Sequence, residues 1–337
     1  SVVLVGERAA QVPGLFSALL RLTAKTGAKV AWIPRRAGER GAIEVGALPT
    51  LLPGGRLVAD AADRAEVEQA WGLAPGALPT EPGRDTTGIL QATADGELSA
   101  LVVGGVDPFD LPDPQLALKA LQQADFVLSL ELRPSPATDY ADVVLPIAPA
   151  VEKAGTFLNW EGRRREFGTT LDGTNALPDC RVLDTLAVEM DADLFTQTPA
   201  AAAGDLARLA TATERKAAAP TVESRQQGLP QSDGQVVLAT WRQLLDNGSL
   251  QAEEPHLAGT ARRVVARLSA HTAEVLGVDK AAAVTVSTDR GSVTVPLEYA
   301  DLPDGVVWLP GNSGDVTVGR TLGVGHGAPV NVKGEAK

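Results

Sequence analysis

The chain has 337 residues, a formal net charge of −12 and a pI near 4.8. An acidic surface does not suit nucleic acid, whose phosphates call for a basic face, and no run approaches the roughly 18 consecutive apolar residues of a membrane helix. With 44% hydrophobic residues the chain can fill two ordinary cores, and its one cysteine, Cys180, excludes an internal disulfide and agrees with a cytoplasmic setting.

Read in order, the chain opens as strand, helix, strand. Val2 to Val5 form a β-branched run ended by Gly6; Pro13 suits a first helical turn, Leu15, Leu19 and Leu22 repeat at helical spacing, and Gly27 stops them before a second strand, Lys29 to Ile33. That spacing predicts a parallel βαβ unit. Gly6-Glu7-Arg8 is not a GxGxxG loop, so a tight βα turn is expected there and not a nucleotide site. Ser1 stands where an initiator Met would, and the strand begins at once, so the chain is read as a piece of a longer polypeptide.

Pro34 to Arg56 is loop-like and holds a basic knot of Arg35, Arg36, Arg40 and Arg56 among glycines. Glu7, Glu39 and Glu44 lie near in sequence, and the expectation is a salt-bridged structural loop, because an arginine cluster in a closed loop is costly unless neutralised. Asp63 and Glu66 have capping-box spacing for a short helix that Trp71 anchors in a core. Leu101 to Val103 reads as a buried strand leading into Gly104, Gly105, Asp107 and Pro108. Asp113 and Pro114 then start a helix with Leu116, Ala120 and Leu121 as its apolar stripe, and Phe126 to Leu130 returns as a strand. Val143, Val144 and Leu145 form the next strand, stopped by Pro146. The polar run that follows carries Glu152, Lys153, Gly155, Thr156, Asn159, Glu161, Gly162 and Arg163.

Residues 139–165, with ADVVLP, EKAGTF and NWEGR in that order, resemble the molybdopterin oxidoreductase superfamily, and the version with Trp160 between Asn159 and Glu161 is most similar to the G-subunit family of bacterial NADH:quinone oxidoreductase, respiratory complex I. The resemblance implies an α/β, doubly wound parallel-sheet domain over residues 1–197, a linker and helix over 198–255, and a smaller double-psi-like β-barrel over 256–337. It implies that the loop holding Gly38, Gly41 and Gly46, and the GVDP turn with Gly104, Gly105, Asp107 and Pro108, mark a vestigial pterin-dinucleotide edge. Glu44-Val45 replaces the Asp-Met of active members, and Asp107 puts a carboxylate where an amide is usual, which is unfavourable beside a pyrophosphate. No cofactor is expected in this piece; iron–sulfur clusters are expected in the missing N-terminal part of the parent.

Thr198 to Pro230 is poor in large apolar residues and is read as a linker, and Val236 to Asp246 as a helix with Asn247-Gly248-Ser249 as its ending turn. Short strands follow at Val264 to Leu268, Val284 to Ser287, Val293 to Leu297 and Val306 to Leu309, with Thr288 to Gly291 as a hairpin turn. The glycine-rich RTLGVGHGAPV is expected to close the barrel.

Chemistry is sparse. His256, His271 and His326 lack metal spacing, one cysteine cannot hold an iron–sulfur cluster, and Asp85, Asp107 and Asp110 read as caps or solvated surface. Three functions follow: a non-catalytic scaffold within the G subunit, contacting other peripheral-arm subunits at the inner face of the cell membrane; the C-terminal part of an active molybdopterin enzyme such as a formate dehydrogenase; or a free-standing nucleotide-binding protein. On the scaffold reading Trp160 is buried, and Glu161 or Arg163 hydrogen-bonds within the fold.

Overall fold

The computed structural model describes residues 1–6, 9, 14–34, 38–111, 113–209, 234–248 and 251–335. Two compact units result, one of residues 1–10, 15–106 and 120–223, the other of 11–14, 107–119 and 224–337.

In the first unit β1 (Val2–Gly6), α1 (Leu15–Thr26) and β2 (Lys29–Ile33) make the expected βαβ turn, with the strands parallel and Val2 opposite Lys29. α2 (Glu39–Glu44) and the small hairpin of β3 (Leu51–Leu52) and β4 (Arg56–Leu57) follow, then α3 (Ala61–Trp71) and α4 (Thr86–Ala94). β5 (Ala100–Gly104), β6 (Phe126–Glu131) and β7 (Val143–Pro146) form a parallel sheet in that order, α5 (Pro114–Gln123) joining the first two. Its two faces are covered differently. Leu101 and Val127 pack with Leu121 of α5, whereas Leu128 and Leu130 pack with Val182 of α6 (Asp179–Glu189), as a sheet wound on both sides requires. β8 (Gly155–Leu158) and β9 (Arg164–Phe167) pair as a hairpin before α6, and α7 (Pro199–Arg208) is capped by the Thr198 hydroxyl.

Two local expectations need correction. The cap of α3 is Asp60, which accepts from the N–H groups of Ala62 and Asp63, three residues before the residue expected in that role; Asp63 is drawn away to accept from Leu57 N at 2.8 Å. Trp71 is 37% exposed and anchors no core, because it ends α3 beside the left-handed Gly72, where the helix has no further turn to pack it.

The second unit is a closed six-stranded barrel built from β10 (Gln235–Trp241), β11 (Ala266–Leu268), β12 (Ala283–Ser287), β13 (Ser292–Tyr299), β14 (Val306–Pro310) and β17 (Pro329–Gly334), in the order β10-β14-β11-β13-β12-β17. The parallel couples β10 with β14 and β11 with β13 interlock across an antiparallel seam, the double-psi pattern. Short α8 (Pro255–Ala258), α9 (Ala270–Val275), β15 (Asn312–Ser313), β16 (Val316–Thr317) and α10 (Val318–Leu322) decorate it. Alternate residues such as Val284, Val286, Val307 and Leu309 fill the interior, the period of two that β-branched strands present to a barrel core. β10 overturns the helix expected over Val236 to Asp246. Its burial alternates Val236, Leu238, and its backbone is taken by β14 and β17, so barrel pairing overrides a short apolar run equally readable at helical period. Asn247 therefore follows a strand, and its N–H bonds to Asn312 O.

Gly291, in the expected hairpin turn, has no space for a side chain: a Cβ there would lie 2.1 Å from the Thr321 carbonyl oxygen. Trp308 is buried with Arg267 over its ring at 4.8 Å and Trp241 tilted against it at 5.3 Å. The Thr198 to Pro230 stretch read as linker carries α7 at its start; residues 210–230 lie outside the described residues.

Candidate functional site

The stretch after β7 is tied down at both ends. Lys153 pairs with Asp179 at the start of α6, and the Thr174 hydroxyl donates to Glu152. Gly155 begins β8 because the Phe167 ring lies where its side chain would be, 2.6 Å from an added Cβ, and Phe167 in turn stacks on Phe157 at 4.9 Å. At the hairpin tip Asn159 Oδ1 accepts from the N–H groups of Glu161 (3.1 Å) and Arg163 (2.8 Å), and Gly162 supplies the left-handed φ of 83° that closes the turn. Glu161 accepts from Asn159 and pairs with Arg163 at 3.3 Å, so both charged residues are engaged locally as expected. Trp160 is not buried. It is 48% exposed, because it sits in the turn itself, beyond the last paired residues Leu158 and Arg164.

α2 lies against this hairpin. Gly38 precedes it at φ 93°, Gly41 would bring a Cβ to 3.4 Å from Leu158, and Arg40 donates to the Trp160 carbonyl at 3.3 Å while pairing with Glu44 one turn on at 2.7 Å. Gly46, at φ 83°, faces its own chain: a Cβ would stand 2.7 Å from the carbonyl carbon of Leu52. Arg56 is buried and donates to Glu66 (2.9 Å) and to the Pro53 carbonyl (3.0 Å). The basic knot is thus neutralised at Arg40 and Arg56; Arg35, Arg36 and Glu7 lie outside the described residues.

Gly104 ends β5, and Gly105 turns at φ 61° with its N–H on Leu130 O. Asp107 and Pro108 belong to the second unit, where Asp107 caps a 3-10 turn over Pro108–Asp110 by accepting from Phe109 N at 2.9 Å, and Pro108 is buried. The segment from Asp107 is then fastened to the barrel. Arg242 pairs with Asp110, Arg290 with Asp113 at 3.2 Å, and the Arg320 guanidinium lies 4.9 Å over the Phe109 ring. Gly319 permits the approach, since a Cβ there would meet the Phe109 carbonyl oxygen at 2.3 Å. Sequence reasoning missed this clasp and read Asp110 as a cap or solvated surface; partners more than a hundred residues apart in sequence leave no periodic signal.

Among the described residues, Glu68 and Cys180 depart from their ordinary pKa. Glu68 is held below the ordinary carboxylate value, first by the Leu78 N–H and then by that of Gly76. Burial pushes the Cys180 thiol up, with the Asp179 charge adding to it, which disfavours the thiolate. His326 Nδ1 accepts from Thr240 N at 3.2 Å, and among the described residues no group of three or more His, Cys, Asp or Glu side chains could hold a metal ion.

Residues 5–178 match the family model for molybdopterin oxidoreductase, and residues 236–334 that for the molybdopterin dinucleotide binding domain. The chain belongs to the molybdopterin oxidoreductase family. It is similar to the G subunit of NADH-quinone oxidoreductase from Mycobacterium tuberculosis, 51% identical over 98% of the chain, and to that from Streptomyces coelicolor, 47% identical over 98%. It spans only 41% and 40% of the length of those relatives. A putative formate dehydrogenase of Staphylococcus haemolyticus is similar over half the chain, 31% identical, and over 17% of its own length.

Proposed function

We propose that this chain is a non-catalytic portion of the G subunit of a proton-translocating NADH:quinone oxidoreductase, an enzyme scaffold that supports an electron-transferring region elsewhere in the parent chain and contacts other peripheral-arm subunits. The observation that carries this reading is the use the fold makes of the candidate pterin edge. Gly46 is filled by its own backbone at Leu52, a Cβ at Gly41 would touch Leu158 at 3.4 Å, and the Asp107 carboxylate is spent on a turn. Gly38 and Gly105 face open space, yet their positive φ alone explains glycine there. A carboxylate in that role disfavours a pyrophosphate-bearing pterin, and the neutralised Arg40 and Arg56 offer it no spare cationic fork. The iron–sulfur clusters of the parent belong, on this reading, to its other part, and the parent is peripheral to the inner face of the membrane. Among the described residues no helix is long and apolar enough to cross a bilayer.

Glu161→Ala in the full assembled complex tests the scaffold role of the hairpin. Its carboxylate is partly exposed and paired within the turn, so the direct loss is about 0–1 kcal/mol, and the change should lower assembly while leaving turnover per assembled complex near normal. A variant that assembles fully but loses electron transfer contradicts the proposal.

A further inference from the structure

The β8–β9 hairpin is fastened both within itself and to α2. Its turn is fixed by Asn159 and Gly162, its carbonyl at Trp160 is held by Arg40, and its flank packs on Gly41. What this frame presents outward is Trp160, 48% exposed, Phe157, 42% exposed, and three successive exposed arginines, Arg163, Arg164 and Arg165. Arg163 has Glu161; among the described residues neither Arg164 nor Arg165 has a carboxylate partner, and Arg165 donates only to the Arg164 carbonyl. Unpaired arginines are conspicuous on a chain of net charge −12. A Trp flanked by Arg on a pre-organised element is the composition that dominates binding energy at protein interfaces, because little ordering entropy remains to be lost.

We infer that this hairpin is a docking element for an acidic surface with an apolar cleft that receives Trp160, and that this surface belongs to the part of the parent polypeptide outside residues 1–337. The inference rests on the scaffold reading above and names its partner. Successive strand residues alternate in face, so Arg165 shares the face of its cross-strand partner Phe157 while Arg164 points the other way, and charge complementarity requires carboxylates opposite Arg165. More than half the length of the G-subunit relatives lies beyond the matched region. The same unit carries other exposed strand surface, Val2 at 62% and Leu4 at 70% exposed on one face of a two-stranded parallel sheet, a kind of sheet ordinarily covered on both faces.

The test places Trp160→p-benzoylphenylalanine in the full-length parent, irradiates the assembled complex and sequences the adducts. Expected are adducts to parent segments outside residues 1–337, next to Asp or Glu. The added change Arg165→Glu should cut adduct yield about tenfold, Arg165→Lys should keep most of it, and Arg164→Glu, on the opposite face, should leave it near the starting level. Adducts on another subunit, adducts confined to residues 1–337, an absence of adducts, or a yield indifferent to charge reversal at Arg165 would each overturn the inference. Iron and molybdenum content of the same preparation reports on the scaffold reading separately: molybdenum with the expected adducts would sink that reading and leave the docking intact.

Discussion

Gly46→Ala isolates the structural demand on one glycine of the candidate edge. The residue sits at φ 83°, where an L side chain costs about 1–2 kcal/mol, and its Cβ would lie 2.7 Å from the Leu52 carbonyl carbon and 2.9 Å from Pro53 N. Both are backbone atoms, which cannot rotate away, so relief needs a shift of the β3 turn worth about 1–3 kcal/mol. The sum, about 2–5 kcal/mol in the first unit, corresponds to a fall in Tm of roughly 5–20 °C for a unit of this size. Gly104→Ala is the control: its nearest neighbour is Leu130 Cβ at 3.9 Å and its φ is ordinary, so its melting should move by less than about 1 kcal/mol. Thermal unfolding of the chain, followed by circular dichroism, reads both. If Gly46→Ala melts with the wild type, the position is open, and its glycine is kept for something other than packing.

Glu68 gives a pH dependence of fixed sign. Its depressed folded-state pKa contributes stability that is present above the ordinary carboxylate value of about 4.5 and is lost as pH falls through the lower folded value, so Glu68→Gln should flatten the acid limb of a stability–pH curve and be less stable than wild type at pH 7; an unchanged acid limb would refute the assignment. Limited proteolysis should cut first within residues 210–230, whose large apolar side chains are Val222 and Leu229 alone, before α7 or β10; early cuts inside either element would remove the proposed division of the chain there.

β1, β2, β5 and β7 were readable because each is an apolar run holding β-branched residues and ended by, or running straight into, Gly or Pro, and α5 because Asp113 and Pro114 announce it. β10 was not, since VVLATWRQLLD satisfies a helical period, and only its pairing with Val306 to Pro310, some seventy residues on, decides otherwise. Asp60 took the cap expected of Asp63 because both are acidic and three apart, and the nearby Leu57 N–H settles which one turns inward. At the site, the pairing of Arg40 with Glu44 follows from i,i+4 spacing and was legible. The exposure of Trp160 and the clasp of Arg242, Arg290 and Arg320 depend on which surfaces a distant segment reaches, and no local pattern records that.

The most direct test of the scaffold account is elemental analysis of the full-length parent purified in its assembled complex, together with a search for released pterin. The account predicts iron at cluster stoichiometry, no molybdenum or tungsten, and no pterin. One molybdenum per chain accompanied by a pterin dinucleotide would contradict it and assign the loops at Gly38 to Gly46 and Gly104 to Pro108 to a working cofactor.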